Sequence, residues 1–190
     1  MVSVGLMMGG TSVALLVATS SGAQAASTRD ARPPAVALDA SSVCAKVSPK
    51  AVSAIVGHPV PKPATTTGTI QSSPASFGVS AKVTLCRYGA EKSVADISKV
   101  VELEFEITSK PYTVSQERHL LLAAASATLK IKVVPYGGLG FPAFYFTDSD
   151  GGVSAEGITG VDGTRLFGAT VNDQISQSKL AALVVLAEKL

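Results

Sequence analysis

The stretch Cys44-Ala-Lys-Val-Ser-Pro-Lys-Ala-Val-Ser-Ala-Ile-Val-Gly57 holds a helix with both ends marked, and it contains one of only two cysteines in the chain. Ser48 can cap such a helix, and Pro49 suits its first position, where a backbone N–H would lack a partner anyway. Gly57 tolerates the left-handed conformation that follows a last helical turn. The sequence therefore predicts a short helix, with Val47, Val52, Ile55 and Val56 facing the core.

The second cysteine, Cys86, lies in the alternating run Lys82–Tyr88, which is typical of a strand covered on both sides. Two cysteines in an exported chain are more often bonded than free, and a Cys44–Cys86 bond would staple the helix to this strand. The alternatives are a catalytic thiol or a metal pair. The first needs a cationic neighbour, and the second needs more ligands than the two histidines of the chain offer.

Residues 1–25 carry no charged side chain, and Val4–Ala18 is mostly apolar. The run is too short and interrupted to span a bilayer, and Ala23-Gln24-Ala25 has the small-x-small form that signal peptidase accepts. We therefore expect a signal peptide over 1–25. No Lys or Arg precedes the run, so a retained anchor, a buried helix or a start further upstream remains open.

The proline-bearing stretch 26–40 predicts a flexible linker, which leaves 41–190 as a single domain of ordinary size. Because the first cysteine is Cys44, the cleavage region offers no thiol for a lipid anchor, and we expect a released, secreted protein without a stable membrane span. A net charge of +2 and an aromatic content of 5% argue against nucleic acid as a partner. We expect a monomer without a cofactor.

The clearest strand in the sequence is Val101–Ile107. Its alternation predicts apolar residues facing inward and three glutamates facing solvent, and a sheet with one wet face is usually antiparallel. Three carboxylates could form a cation site or the acid and base of a hydrolase. A solvated strand produces such a row automatically, however, and lysines of a neighbouring strand could pair it. The residues concerned are Glu102, Glu104 and Glu106, with Lys130 or Lys132 as the partners.

The remaining patterns predict an α+β fold with an antiparallel sheet flanked by helices. Residues 58–80 indicate an extended edge segment and a long loop. Thr113 and Gln116 have capping-box spacing and open a helix to about Leu129, with Val114, Leu121, Leu122, Ala125 and Leu129 as its buried stripe. Further strands are predicted at Ile131–Val134, Ala143–Thr147, Val153–Gly157 and Thr164–Val171, before a final helix that packs Leu180, Leu183, Val184 and Ala187.

A glycine-rich turn follows the strand at Ile131–Val134. Its exposed amides could cradle an anion, which makes Tyr136, Gly137, Gly138 and Gly140 a candidate binding site. The turn lacks the GxGxxG spacing and the lysine of a P-loop, so a plain connection between strands is the competing interpretation.

Several of these motifs together resemble an actinobacterial domain-of-unknown-function family of exported proteins and lipoproteins. They are Cys44 followed by Ser48-Pro49 and Gly57, then Cys86-Arg-Tyr88, and then Gly138-Leu-Gly140 with Ala143. The resemblance implies an α/β sandwich distantly like the PsbP fold, and it implies the Cys44–Cys86 bond. The family has no established catalytic residues, so the resemblance implies none for this chain.

The sequence favours a secreted, cell-envelope-associated binding or interaction module without catalytic activity or metal ligands, acting on an unknown envelope component or protein. One alternative is a small extracytoplasmic hydrolase that uses His58 or His119, although no GxSxG or HExxH motif supports it. The other is a purely structural wall protein, which would have no concave pocket.

Overall fold

A computed structural model describes residues 43–73, 76–89, 99–123, 129–150 and 153–190. The predicted signal peptide and linker lie outside these residues. Within them the chain forms three helices and seven strands. In chain order they are α1 (Pro49–Val56), β1 (Ala64–Ile70), β2 (Ala81–Tyr88), β3 (Val101–Thr108), α2 (Val114–Ala123), β4 (Lys130–Tyr136), β5 (Ala143–Asp150), β6 (Val153–Asp162), β7 (Arg165–Val171) and α3 (Gln177–Ala187).

The seven strands form one sheet in the order β1-β2-β3-β7-β6-β5-β4, and every neighbouring pair is antiparallel. After β3 the chain crosses to the far edge through α2, and β4 to β7 then return strand by strand until β7 pairs with β3. The predicted α+β fold with an antiparallel sheet is confirmed. None of the described helices is long and apolar enough to cross a membrane.

Helices α1 and α3 cover one face of the sheet and bury the main core against it. The ends of α1 are as predicted: Ser48 accepts a hydrogen bond from the Ala51 amide, and Gly57 has φ +92°. The buried stripe of α3 is also confirmed. Its members are Leu180, Leu183, Val184 and Ala187.

The disulfide joins this core to the segment before α1. Cys44 and Cys86 are bonded, with their Cα atoms 5.5 Å apart. Next to this bond, the buried Tyr88 hydroxyl donates to the Val47 carbonyl over 2.8 Å. The predicted staple between helix and strand is therefore present and is reinforced by a buried hydrogen bond.

The prediction that the β3 glutamates face solvent is wrong. Glu102 is 5% exposed and Glu106 9%, whereas Ile107 is 48% exposed. The physical reason is that β3 lies inside the sheet, and the chain after it folds back so that Tyr112 and α2 pack over the glutamate face. The lysines expected to pair this row lie on β4, separated from β3 by β7, β6 and β5.

One further agreement concerns the edge of the sheet, and two smaller differences concern helix α2. The extended edge expected within 58–80 is β1, an edge strand that pairs only with β2 among the described strands. Helix α2 contains no fully buried residue, and Leu122 is 39% exposed, so the predicted stripe is only partly correct. Leu129 lies outside the helix, and Ala125 is not among the described residues.

A cavity between strand β3 and helix α2

A partly enclosed cavity of about 100 Å³ lies on the face of the sheet that α2 covers. That space holds roughly three water molecules or a small organic group. Three acidic side chains and a tyrosine line one part of it, and two phenylalanine rings line another. They are Glu104, Glu106, Glu117 and Tyr112, with Phe144 and Phe146 on β5.

Local structure brings the three carboxyl groups together. Glu104 and Glu106 are two residues apart on β3, so their side chains share a face of the sheet. Glu117 stands in the first turn of α2, which begins with the predicted capping box. There the Gln116 amide donates to Thr113 Oγ1 over 3.2 Å, and the Thr113 amide donates to Gln116 Oε1 over 3.0 Å. The cap fixes where α2 starts and therefore where Glu117 lies.

Two glycines inside strands make room for these side chains. A Cβ atom on Gly168 would lie 3.3 Å from both Cβ and Oε2 of Glu104, its partner across the β3–β7 pair. A Cβ atom on Gly157 would lie 2.5 Å from the Phe146 ring. Glycine in a strand interior often marks such a close approach, and here it lets a carboxyl group and an aromatic ring lie against the sheet.

Burial raises the pKa of both Glu104 and Glu106, because an ionised carboxylate loses hydration there. The charge of Glu102 raises the pKa of Glu104 further, and the charge of Glu104 does the same for Glu106. The two carboxyl groups lie close enough together for each to shift the pKa of the other.

The pKa of Glu117 is raised to about 7, chiefly by burial and then by the charge of Glu104. The neighbouring carboxyl group of Glu102 is neutralised differently, since Arg87 Nε lies 2.9 Å from its Oε1. The cavity thus contains three carboxyl groups that prefer to be neutral, beside a fourth that is ion-paired.

Tyr112 is 7% exposed, and its hydroxyl is buried without a well-formed hydrogen bond in the described structure. It lies close enough to Glu117 to lower the pKa of that carboxyl group, so the two interact without completing a bond of good geometry. Burial raises the pKa of Tyr112 well above its usual value. A buried hydroxyl without a good hydrogen bond costs free energy, so a further polar partner for the Tyr112 oxygen would be stabilising.

The sequence-predicted turn lies elsewhere. Gly138 and Gly140 have φ of +100° and +81°, as a tight turn requires, and Tyr136 packs against the core on the opposite face. None of these residues or Gly137 lines the cavity, and anion binding at the turn stays a prediction. Sequence reasoning missed the cavity itself. The signal available was the pair of strand glycines, Gly157 and Gly168.

The two histidines are also apart from the cavity. His58 Nδ1 lies 3.3 Å from the Pro59 carbonyl, and the exposed His119 ring packs edge-on against Phe77 with 5.5 Å between centroids. Within the described ranges, no group of three His, Cys, Asp or Glu side chains is arranged to hold a metal ion.

No family model and no curated protein matches this chain. Among solved structures, the chain is similar to the extracellular domain of PknH from Mycobacterium tuberculosis, with 11% identity and a TM-score of 0.44. The match covers 80% of this chain and 98% of that one. This similarity is too low to transfer a function. The disulfide by itself fits an extracellular module, since such bonds persist in oxidising compartments.

Proposed function

We propose that the chain is a secreted, cell-envelope-associated binding module without catalytic activity, and that the cavity under α2 is its binding site. The observation that carries the proposal is the cavity, in which polar groups converge beside an apolar wall. Small-molecule sites typically combine a concave apolar surface with a few well-placed polar groups. A purely structural wall protein would have no need for buried carboxyl groups, which cost free energy when they ionise.

The secreted location is supported by the disulfide between Cys44 and Cys86 and by the leader-like sequence over 1–25. Membership of the actinobacterial exported family is proposed on the same motifs that suggested it. Mass analysis of the protein recovered from the culture medium tests both the export and cleavage after Ala25. Intact chain retained in the cytoplasm would contradict this part of the proposal.

The binding role is tested by filling the cavity. Thr170 lines it, and Thr170→Leu adds apolar volume while keeping a side chain that a strand accepts. The matched control is Thr67→Leu on the exposed edge strand β1. A set of cationic, neutral and anionic molecules of about four or five heavy atoms is screened by ligand-observed NMR. We expect at least one class to bind wild type and Thr67→Leu but not Thr170→Leu. If no probe distinguishes the two variants, the cavity is not the site.

A second candidate is a hydrolase, and the Glu104–Glu106 pair favours it, because two neighbouring carboxyl groups with raised pKa values can divide the roles of acid and base. The same NMR samples test this alternative. We expect the spectra of the bound probes to stay unchanged over a day. Turnover of a probe in wild type that is lost in Glu106→Gln would establish the hydrolase instead.

A further inference from the structure

The charge around the cavity is one-sided. Glu104, Glu106 and Glu117 line it, and none of the described lining residues is basic. The other ionisable groups near this face have partners of their own or are exposed to solvent. Arg87 pairs with Glu102, Asp148 accepts from the Ala155 amide over 3.1 Å, His119 packs on Phe77, and Arg118 is exposed. Among the residues that the structure describes, none therefore supplies a counter-charge to the three carboxyl groups within the cavity.

The Tyr112 hydroxyl forms no hydrogen bond of good geometry in the described structure, although it lies close to Glu117, so it can take a further polar partner. Tyr112 is more than nine-tenths buried and lines the same cavity. A phenol oxygen accepts a hydrogen bond as well as donating one. An occupant with several N–H donors can donate to this oxygen and to the carboxyl groups beside it, whereas ionised carboxyl groups repel an anion and a hydrocarbon offers no hydrogen bond.

The apolar wall limits the kind of cation. Phe144 and Phe146 are buried, with ring centroids 6.2 Å apart. Such rings favour a carbon chain and also attract a cationic head group. The described residues offer no metal-holding arrangement, so an organic cation fits better than an inorganic one. A cavity of about 100 Å³ restricts it to about four or five heavy atoms, since roughly 150 Å³ accommodates the six carbon atoms of benzene.

We propose that the cavity binds a small organic ammonium ion, whose head group lies among the three carboxyl groups and whose carbon chain lies against the two phenylalanine rings. An ammonium group presents three N–H donors, and carboxylates are its strongest acceptors. The inference rests on the proposed function, because it names the ligand class of the same cavity.

Binding of this cation is linked to protons. An ammonium ion stabilises ionised carboxylates, so its entry displaces protons from groups that are neutral in the empty cavity. Affinity therefore rises as the pH increases from 6 to 8.5, a range in which an alkylammonium ion stays charged. A neutral ligand of the same shape would lack this dependence.

The test uses n-butylammonium as the probe, with 1-butanol as the neutral isostere and butyrate as the anion, on the oxidised purified protein. Calorimetry at pH 7.5 in two buffers of different ionisation enthalpy measures affinity and proton release together. We expect n-butylammonium to bind at least tenfold more tightly than 1-butanol, to release protons, and to show no competition from millimolar calcium. Equal affinity for the alcohol, or butyrate as the better ligand, would overturn the proposal.

Variants locate the site. Glu117→Gln keeps the shape of the side chain and removes its charge, and it should weaken n-butylammonium at least tenfold; Glu188→Gln on the exposed end of α3 should leave the affinity unchanged. Tyr112→Phe should weaken binding severalfold. Equal effects of the first two substitutions would show non-specific surface attraction and overturn the proposal.

The outcomes separate this inference from the proposed function. If 1-butanol or butyrate binds and Thr170→Leu abolishes that binding, the cavity is a binding site but not for ammonium ions. If no probe of any charge binds wild type, both proposals fail. Should Thr170→Leu not fold, Glu117→Gln and Tyr112→Phe still decide the question, since both preserve side-chain volume.

Discussion

Glu104 and Glu106 lie two residues apart on the covered face of β3, where burial and the charge of a neighbouring glutamate raise the pKa of both carboxyl groups. An interior strand with three glutamates at alternate positions is tolerated because burial favours the neutral form of two of them and the third is paired with Arg87. The arrangement makes the stability of the domain depend on pH, in the direction opposite to that of an ordinary salt-bridged carboxylate.

The first prediction is that stability decreases as the pH rises. Glu117 has a pKa near 7 in the folded chain and about 4.3 in the unfolded chain. Between these values the folded state binds more protons. The stabilisation is therefore complete below about pH 4.3 and is lost as the pH rises through 7, with Glu104 and Glu106 adding to the effect.

Urea unfolding at pH 5 and pH 8 measures this dependence. We expect the free energy of unfolding at pH 8 to be lower by about 1–3 kcal/mol. Glu117→Gln should reduce the difference, and Glu188→Gln should not. A stability that is flat or rises over this range would show that the three carboxyl groups are ionised in the folded protein.

The second prediction concerns the disulfide. Cys44 and Cys86 are separated by 42 residues in sequence, and closing a loop of this length stabilises the folded state by about 4 kcal/mol in the chain-entropy model. Reductant should lower the urea midpoint of the wild type by a corresponding amount. The Cys44→Ser/Cys86→Ser variant serves as the control, because its midpoint should not respond to reductant. Two thiols that react in the denatured, unreduced protein would contradict the bond.

The third prediction tests the strand glycines. A Cβ atom on Gly157 would lie 2.5 Å from the Phe146 ring and 2.8 Å from the Ala169 carbonyl oxygen. Gly157→Ala should therefore cost about 1–3 kcal/mol. Gly137 lies in the glycine-rich turn with open space around it, so Gly137→Ala should change stability by less than about 0.5 kcal/mol. Thermal unfolding of both variants measures the two losses of stability. Equal losses would mean that the Phe146 ring does not require a glycine at position 157.

The sequence contained enough to predict features that depend on neighbouring residues. The caps of α1 need only Ser48, Pro49 and Gly57, and the apolar spacing of α3 identifies its buried face directly. The alternation of β3 separates its two faces but does not show which face is exposed to solvent. That is decided by the path of the chain after Thr113, which packs α2 over the glutamates.

The cavity was missed for the same reason. Glu117 lies on a different element from Glu104 and Glu106. Phe144 belongs to β5, which β7 and β6 separate from β3 in the sheet. No local sequence pattern indicates that these residues meet in the folded chain. Gly157 and Gly168 did mark positions of close approach, but a glycine does not reveal which side chain approaches it.

The fourth prediction concerns Tyr88, whose buried hydroxyl donates to the Val47 carbonyl beside the disulfide. Burial raises the pKa of Tyr88 to about 12, so the hydroxyl keeps the proton of this hydrogen bond at neutral pH. Tyr88→Phe leaves this carbonyl buried without its donor, and it should lower stability by about 1–2 kcal/mol. Tyr136→Phe, at a partly exposed position, should cost less than about 0.5 kcal/mol.

The Tyr88 hydrogen bond and the disulfide tie the same segment to β2, so their contributions should not be independent. In the reduced protein the Tyr88 hydrogen bond still ties that segment to the strand. We therefore expect Tyr88→Phe to be more damaging to the Cys44→Ser/Cys86→Ser variant than to the oxidised wild type. A double-mutant cycle of urea unfolding measures the coupling between the two changes in the free energy of unfolding. Strict additivity of these changes would show that the Tyr88 hydrogen bond and the disulfide act independently.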